Sequence, residues 1–304
     1  MNQSEYKKGI FYTLACYLMW GNFPLYWYSL KMLGSTQLMS QRIVWSVIFI
    51  VLVLTLLREW KSIFSVLTQR KTVLVLFITS QLLFFNWLTY LWAITANRVV
   101  DASLGYFITP LFSIFLGRLI LKERLSHSQS MAVAVAMIGI IWLTIVGQTI
   151  PYVALGLAVT FSFYGLLKKA YPVKTLPSIA FETFFMLPFA SIYLIYEFNQ
   201  GHLVFTELPT LSLILLLLSG AVTTIPLLLF SEGAKKIPLS LVGIVQFVSP
   251  TLQMINGVIF FDDPVDFMRL IGFVIVWIAV AIFIISEYRR YQTQVRLLSM
   301  QSKD

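Results

Sequence analysis

Charge, cysteine and histidine are all scarce in this chain of 304 residues. Charged residues make up 12% of the sequence and hydrophobic residues 59%, and the mean hydropathy is +0.84. A soluble domain carries about 25% charged residues, so this composition excludes an ordinary water-soluble protein. It indicates a protein whose solvent is the lipid bilayer.

The few reactive side chains also limit the chemistry that the chain can perform. A single cysteine, Cys16, excludes an intramolecular disulfide and a cysteine-based metal site. The two histidines, His127 and His202, fall in predicted loops, whereas an intramembrane hydrolase needs a nucleophile–base pair or clustered acids and histidines within its spans. We therefore expect no enzyme, no metal and no cofactor. No basic run is long enough to follow nucleic acid.

The sequence is rich in long apolar runs. A bilayer core of about 30 Å needs about 20 helical residues, and ten runs of about that length follow one another with short connections. Strands of a β-barrel would be shorter and would alternate strictly. We therefore predict an all-α membrane protein with ten transmembrane helices, at roughly 9–29, 36–57, 72–93, 102–121, 128–147, 150–168, 177–196, 211–231, 238–260 and 267–286.

The positions of lysine and arginine predict the orientation of these spans. With the N-terminus inside, 18 of the 22 basic residues fall in cytoplasmic segments and only Lys31, Arg98 and Arg269 in outer loops. Cytoplasmic loops carry the basic excess in membrane proteins. We therefore predict a multi-pass protein of the plasma membrane (the bacterial inner membrane) with both termini in the cytoplasm. The basic segment 58–71 predicts a short interfacial helix.

The two halves of the sequence resemble each other at a nearly constant offset. A proline, a glycine and an acid recur at the same spacing, first as Pro110, Gly117 and Glu123 and then, 140 residues on, as Pro250, Gly257 and Asp263. Each half holds five spans, an odd number, so the halves enter the membrane in opposite orientations. We predict two inverted five-helix repeats, residues 1–148 and 149–304, the second with a short cytoplasmic tail. Secondary transporters are built in this way.

These residues resemble a known family over essentially the whole chain. Pro110, Gly117 and the following Lys122-Glu123-Arg124 are similar to the motif of the drug/metabolite transporter superfamily in its EamA branch. Segments 41–46 and 225–230 are similar to its RarD subgroup, although Asp263 stands where that branch usually has glutamate. The resemblance implies a proton- or gradient-driven permease or exporter of small molecules. It also implies a cavity enclosed by the first, third, fourth, sixth, eighth and ninth spans.

Two ionisable residues inside predicted spans are functional candidates, because such groups are costly in lipid. Arg42 lies about six residues from the outer face and Glu182 about five residues from the inner face, so roughly 13 Å of depth separates them. We expect them to face opposite vestibules rather than to form an ion pair. Arg42 could instead extend to the lipid headgroups, and Glu182 must be protonated or partnered if dry, which suits proton coupling.

Aromatic and amide side chains complete the predicted site, since small organic ligands favour such linings. The alternatives are that the amides only hold helices together and that the aromatic rings face lipid. Pro110 and Pro250 are predicted hinges, or else packing kinks. The predicted cavity is lined by Trp20, Asn22, Arg42, Asn86, Trp87, Tyr90, Tyr106, Tyr164, Glu182, Gln246 and Gln253.

The sequence therefore predicts a secondary active transporter that moves a small organic metabolite or drug by alternating access. Its expected partners are that small molecule, the lipid bilayer and protons. A lipid scramblase or the membrane subunit of an ATPase-driven permease is the alternative, and an intramembrane enzyme is a more distant one. The sequence sets neither the substrate, nor the direction, nor the oligomeric state.

Overall fold

The computed structural model describes residues 3–95, 99–147, 152–203, 208–260 and 266–301. Within these ranges it describes the backbone but not the side chains of residues 94–95, 99–104, 257, 291 and 293–301. In this part of the chain the regular elements are helices, with a short 3-10 turn at Lys31–Leu33. The predicted boundary between the halves at 148/149, Arg98 and Asp263 lie outside the described residues. The helices are α1 Gln3–Gly21, α2 Phe23–Tyr28, α3 Ser35–Leu56, α4 Trp60–Leu67, α5 Arg70–Thr95, α6 Val99–Leu119, α7 His127–Gly147, α8 Tyr152–Ala170, α9 Thr175–Asn199, α10 Thr210–Lys236, α11 Leu239–Gln246, α12 Val248–Phe260 and α13 Phe267–Gln301.

Among the described residues, eight helical segments are long and apolar enough to cross a membrane. They are α3, α5, α7, α8, α9, α10, the consecutive helices α11 and α12, and α13 as far as Arg290. α1 is not among them because Glu5, Lys7 and Lys8 lie in its first two turns. In α6 the described apolar stretch, Gly105–Leu119, is shorter than a span. Eight of the ten predicted spans thus meet the requirements of length and composition.

Two of the predicted spans are interrupted rather than continuous. The run at 9–29 divides at Asn22 into α1 and α2, and the run at 238–260 divides at Phe247 into α11 and α12. Pro24 and Pro250 lie in the first turns of α2 and α12. Proline lacks an N–H and its ring clashes with the carbonyl group four residues earlier, so α1 and α11 end shortly before these prolines while the prolines fit the first turns of α2 and α12. In contrast, α6 continues through Pro110.

The segment between α3 and α5 contains the short helix that its sequence predicts. α4 spans Trp60–Leu67, with Ile63 buried and Phe64 and Leu67 exposed. Such a helix between basic ends suits the membrane surface.

The contacts between helices follow a mirrored pattern. α3 packs against α9, α6 against α11, and α7 against α13, and each of these pairs joins corresponding helices of the two halves. The contact of α1 with α10 corresponds to that of α8 with α5, and the contact of α3 with α10 corresponds to that of α9 with α5. The two halves therefore contact each other through corresponding pairs of helices.

Small residues allow the closest of these contacts. On α7, Ala132 and Ala136 are buried, and a Cβ added to Gly139 would lie 3.1 Å from the carbonyl oxygen of Gly272 on α13. α7 and α13 therefore pack closely against each other. Between α3 and α10 the approach is closer still, since a Cβ on Gly220 would lie 2.1 Å from the carbonyl oxygen of Trp45.

Candidate functional site

Arg42 is enclosed by aromatic side chains. It is 3% exposed, and its Cζ atom lies 4.6 Å from the ring centroid of Trp27 and 4.4 Å from that of Trp87. Tyr90 and Tyr106 lie close enough to the guanidinium to interact with it electrostatically. Their rings contact each other edge-on, with centroids 5.4 Å apart. A side chain this buried in protein does not reach the headgroups, so the snorkelling alternative is wrong. Within the described residues no carboxylate forms an ion pair with Arg42.

Glu182 does form an ion pair, and its partner is Lys168. The Nζ atom of Lys168 lies 2.6 Å from Oε1 of Glu182, with the side chains 4% and 1% exposed. Thr79 donates to the same oxygen at 2.5 Å, and the Tyr164 hydroxyl donates to Oε2 at 3.2 Å. Lys168, one of the basic residues counted at the cytoplasmic ends of the spans, is therefore buried in protein. It lies one turn after Tyr164 on the same face of α8, which turns it towards the interior.

The helix α5 shows how far apart the Arg42 and Glu182 centres are. Thr79 of this helix contacts Glu182, and Trp87 of the same helix contacts Arg42. Eight residues correspond to about 12 Å along a helix axis, which agrees with the depth difference expected from the sequence. The two ionisable residues are therefore two separate centres.

Trp20 and Tyr164 meet in an aromatic cluster between α1, α8 and α10. Trp20 contacts Phe161 edge-on with centroids 5.4 Å apart, and Tyr164 stacks on Phe230 with centroids 5.7 Å apart. Trp20 also lies 5.8 Å from Phe230. The cluster joins helices of both halves and includes Tyr164, which donates to Glu182. Its rings pack against protein, so the lipid-facing alternative does not apply to Trp20 and Tyr164.

The predicted amides act mainly as links between helices. Asn86 of α5 donates to the Leu157 carbonyl oxygen at 3.0 Å and to Thr160 at 2.9 Å, both on α8. Gln253 of α12 donates to the carbonyl oxygen of Trp20 at 3.4 Å. Asn22 is exposed and accepts a hydrogen bond from Asn256 at 3.2 Å. These contacts agree with the helix-linking alternative.

Gln246 differs from the other amides. It is 3% exposed at the end of α11, and its Oε1 atom is buried without a hydrogen-bond partner. It therefore remains a candidate for polar recognition.

The motif acid Glu123 connects the two halves. Its two carboxylate oxygens accept hydrogen bonds from the backbone N–H groups of Leu239 at 2.7 Å and Ser240 at 2.9 Å, which begin α11. A carboxylate is favourable at a helix N-terminus because the free N–H groups there carry partial positive charge. The repeated proline–glycine–acid motif therefore has a structural role in its first copy.

A polar cleft of about 330 Å³ opens between α1 and α10 at the end where the N-terminus lies. Glu232 lies 3.4 Å from Lys235 in a local ion pair. Glu5 pairs with Lys236 and with Lys8, and hydrogen bonds from these two ammonium groups lower the pKa of the Glu5 carboxyl to about 2. Among the described residues no three His, Cys, Asp or Glu side chains are placed to share a metal ion.

Three residues of these centres were missed from the sequence. Trp27 looked like part of an ordinary apolar span, and only its position in the separate helix α2 brings it to Arg42. Lys168 could have been predicted as the partner of Glu182, because a buried glutamate needs a cation. Lys168 lies at the end of the neighbouring predicted span, at about the same depth as Glu182. Thr79 carries no signal in the sequence, since threonines are common in membrane helices.

Comparison with known proteins agrees with this architecture. The model of the EamA-like transporter family matches the chain twice, at residues 7–145 and 149–285. The chain is 39% identical to the uncharacterized transporter YojE of Bacillus subtilis, over 95% of this chain and 97% of that protein. It is 32% identical to protein RarD of Escherichia coli, over 93% of this chain and 96% of that protein.

A more distant relative and a solved structure extend this similarity. The chain is 29% identical to the chloramphenicol-sensitive protein RarD of Pseudomonas aeruginosa, over 90% of this chain and 92% of that protein. A crystal structure with 18% sequence identity superposes with a TM-score of 0.67, over 90% of this chain and 96% of that one, and so has the same fold. The chain belongs to the EamA-like transporter family and, within it, to the RarD group of multi-pass proteins of the bacterial inner membrane.

Proposed function

We propose that this chain is a proton-coupled secondary transporter that moves a small organic solute by alternating access. The moving parts are two inverted five-helix halves, residues 1–148 and 149–304, with both termini in the cytoplasm. The observation that carries the proposal is the mirrored packing of corresponding helices, with a buried ionisable centre at each of the repeat-related positions Arg42 and Glu182. Transporters with inverted repeats bind their cargo between the repeats, near the middle of the membrane.

The proposal requires α1 and α6 to cross the membrane as well. The apolar part of α1 after Lys8 packs along α10, and α6 packs along α8 and α11, each of which is a candidate span. Ten spans divide into five and five, and an odd number per half reverses the second half relative to the first. Two related packings of similar energy are then available, and a solute or ion that binds one of them better shifts the population towards it.

The solute path is proposed to run along α5, between the Arg42 and Glu182 centres. The aromatic cluster around Trp20 and Tyr164 adjoins this path, and Gln246 contributes a buried acceptor without a partner. The break at Asn22 between α1 and α2 and the break at Phe247 between α11 and α12 are the proposed hinges, together with Pro110 and Pro250.

Proton coupling is proposed to act through the Glu182–Lys168 pair. A proton that neutralises the carboxylate leaves the Lys168 ammonium buried without its counter-ion, and such a loss costs about 3–5 kcal/mol. Lys168 lies two residues before the end of α8, so a shift of this helix would bring the ammonium to water. A difference of about 5.5 kcal/mol moves a two-state population from 1:99 to 99:1, so protonation is large enough to drive much of the switch.

Reconstitution of the purified full-length chain into liposomes tests this function. An imposed pH gradient and a mixture of metabolites are supplied, and the solutes that accumulate are identified by mass spectrometry against protein-free liposomes. We expect accumulation of a small set of solutes that a protonophore abolishes. Accumulation that persists with the protonophore would contradict proton coupling, and accumulation no greater than in protein-free liposomes would contradict transport itself.

A further inference from the structure

Arg42 and two tryptophans on α2 and α3 carry buried hydrogen-bond donors without partners. Its Nε atom is buried without a hydrogen-bond partner, and so are the indole Nε1 atoms of Trp27 and Trp45. Trp45 lies one turn after Arg42 on α3 and packs on the same apolar cluster as Trp27. Because a buried donor without an acceptor costs free energy, the unpartnered Nε atom of Arg42, next to the ring of Trp27 whose indole N–H is also unpartnered, indicates a place that receives acceptor atoms.

The aromatic contacts do not satisfy these donors. The faces of Trp27 and Trp87 attract the guanidinium charge, but the N–H groups of arginine point outward in its plane and need acceptors there. The Tyr26 hydroxyl donates to the Leu215 carbonyl oxygen, and neither its oxygen nor any other described acceptor receives a hydrogen bond from Arg42 Nε. The guanidinium edge therefore keeps its capacity for a ligand.

From this geometry we infer that Arg42 binds the carboxylate of the transported solute, so that the solutes are small organic monocarboxylates. An ionised carboxylate only accepts hydrogen bonds, and its two oxygens match the fork of a guanidinium. Trp87, Tyr90 and Tyr106 provide an apolar wall for the body of the solute. This inference rests on the proposed transport function and adds the substrate class to it.

Charge balance favours a monoanion over a phosphate or a dicarboxylate. Within the described residues no second lysine or arginine is an electrostatic neighbour of the Arg42 guanidinium. One buried positive charge neutralises one carboxylate, whereas a dianion would leave a negative charge in a dry site, which is strongly unfavourable.

Ligand-dependent thermal stability of the purified full-length chain in detergent tests the inference. The probes are benzoate, indole-3-acetate and hexanoate, each compared with its amide, and inorganic phosphate is a separate arm. We expect at least one carboxylate to stabilise the protein saturably while its amide and phosphate do not. Arg42→Gln is expected to weaken this binding about 30-fold or more. Arg118→Gln, which removes an exposed arginine from α6, is the matched control and should bind as the unmodified chain does.

The stability of Arg42→Gln without ligand separates recognition from a structural role. An unpaired buried cation is a cost to the fold, so its removal should leave the melting temperature unchanged or raise it. A large fall in the melting temperature would assign Arg42 to packing and overturn the inference. The binding results would also overturn it if the amides bound as well as the carboxylates, if phosphate alone bound, if no carboxylate bound, or if Arg42→Gln still bound the carboxylate. If liposomes accumulate only neutral solutes, the inference fails while the transport function stands.

Discussion

Replacing Glu182 with glutamine is expected to destabilise the protein by about 3–5 kcal/mol, because it leaves the Lys168 ammonium buried without its counter-ion. Both side chains are almost fully buried, so water cannot replace the lost partner. The double variant Glu182→Gln with Lys168→Met should recover most of this loss, since a buried pair exchanged for neutral side chains is often close to neutral in stability. Melting curves of the purified variants in one detergent measure both effects.

The matched control is the half-exposed pair of Glu232 and Lys235 on α10. Exposed ion pairs contribute about 0–1 kcal/mol, so Glu232→Gln should change the melting temperature little. Equal effects of Glu182→Gln and Glu232→Gln, or a double variant less stable than Glu182→Gln alone, would contradict the role given to the buried pair.

The double variant also tests the coupling mechanism in a folded protein. Without a carboxylate to protonate, it should lose accumulation driven by a pH gradient but keep exchange of solute across the membrane at equal pH. Gradient-driven accumulation at the level of the unmodified chain would show that the proton acts elsewhere.

The second large effect is expected from Gly220→Ala at the contact between α3 and α10. The new Cβ would lie 2.1 Å from the Trp45 carbonyl oxygen and 2.3 Å from its carbon, both of which belong to the backbone of α3. Neither atom can move aside as a flexible side chain would, so the helices must separate. Overpacking costs about 1–3 kcal/mol in well-packed cores and occasionally more, and this clash belongs at or above the upper end.

Gly156→Ala on α8 is the control for the same substitution in open space. No atom lies within 4 Å of a Cβ at Gly156, and alanine favours a helix over glycine by about 0.5–1 kcal/mol. This variant should therefore melt at the same temperature or higher, while Gly220→Ala should show a lower yield of folded protein and a lower melting temperature. Unchanged stability of Gly220→Ala would mean that α3 and α10 do not approach this closely.

The sequence predicted the elements of the fold better than their interruptions. Hydropathy and length locate the apolar helices, because a membrane-spanning helix appears in the sequence as a continuous apolar run of about 20 residues. The break at Phe247 was expected at Pro250 instead, since sequence alone does not show that proline is tolerated in the first turn of the helix that follows the break. No interruption was predicted at Asn22, which Pro24 follows in the first turn of α2.

The candidate site was only partly predictable. Arg42 and Glu182 were identified because ionisable residues in apolar runs are rare, and their separation followed from helix geometry. The pairing of Glu182 with Lys168, and of Arg42 with Trp27, depends on which faces of different helices meet. No pattern within one helix carries that information, so the partners emerge only when the helices are packed.

Labelling of two single cysteines in intact cells tests the inversion of the halves most directly. In a Cys16→Ala chain, His202→Cys lies in the loop between α9 and α10, and Gln69→Cys lies in the corresponding loop between α3 and α5, both at exposed positions. With inverted halves, a membrane-impermeant maleimide should modify the cysteine at position 202 in intact cells and the one at position 69 only after permeabilisation. Modification of both from the same side of the membrane would show that the halves run in parallel and would contradict the alternating-access transporter described above.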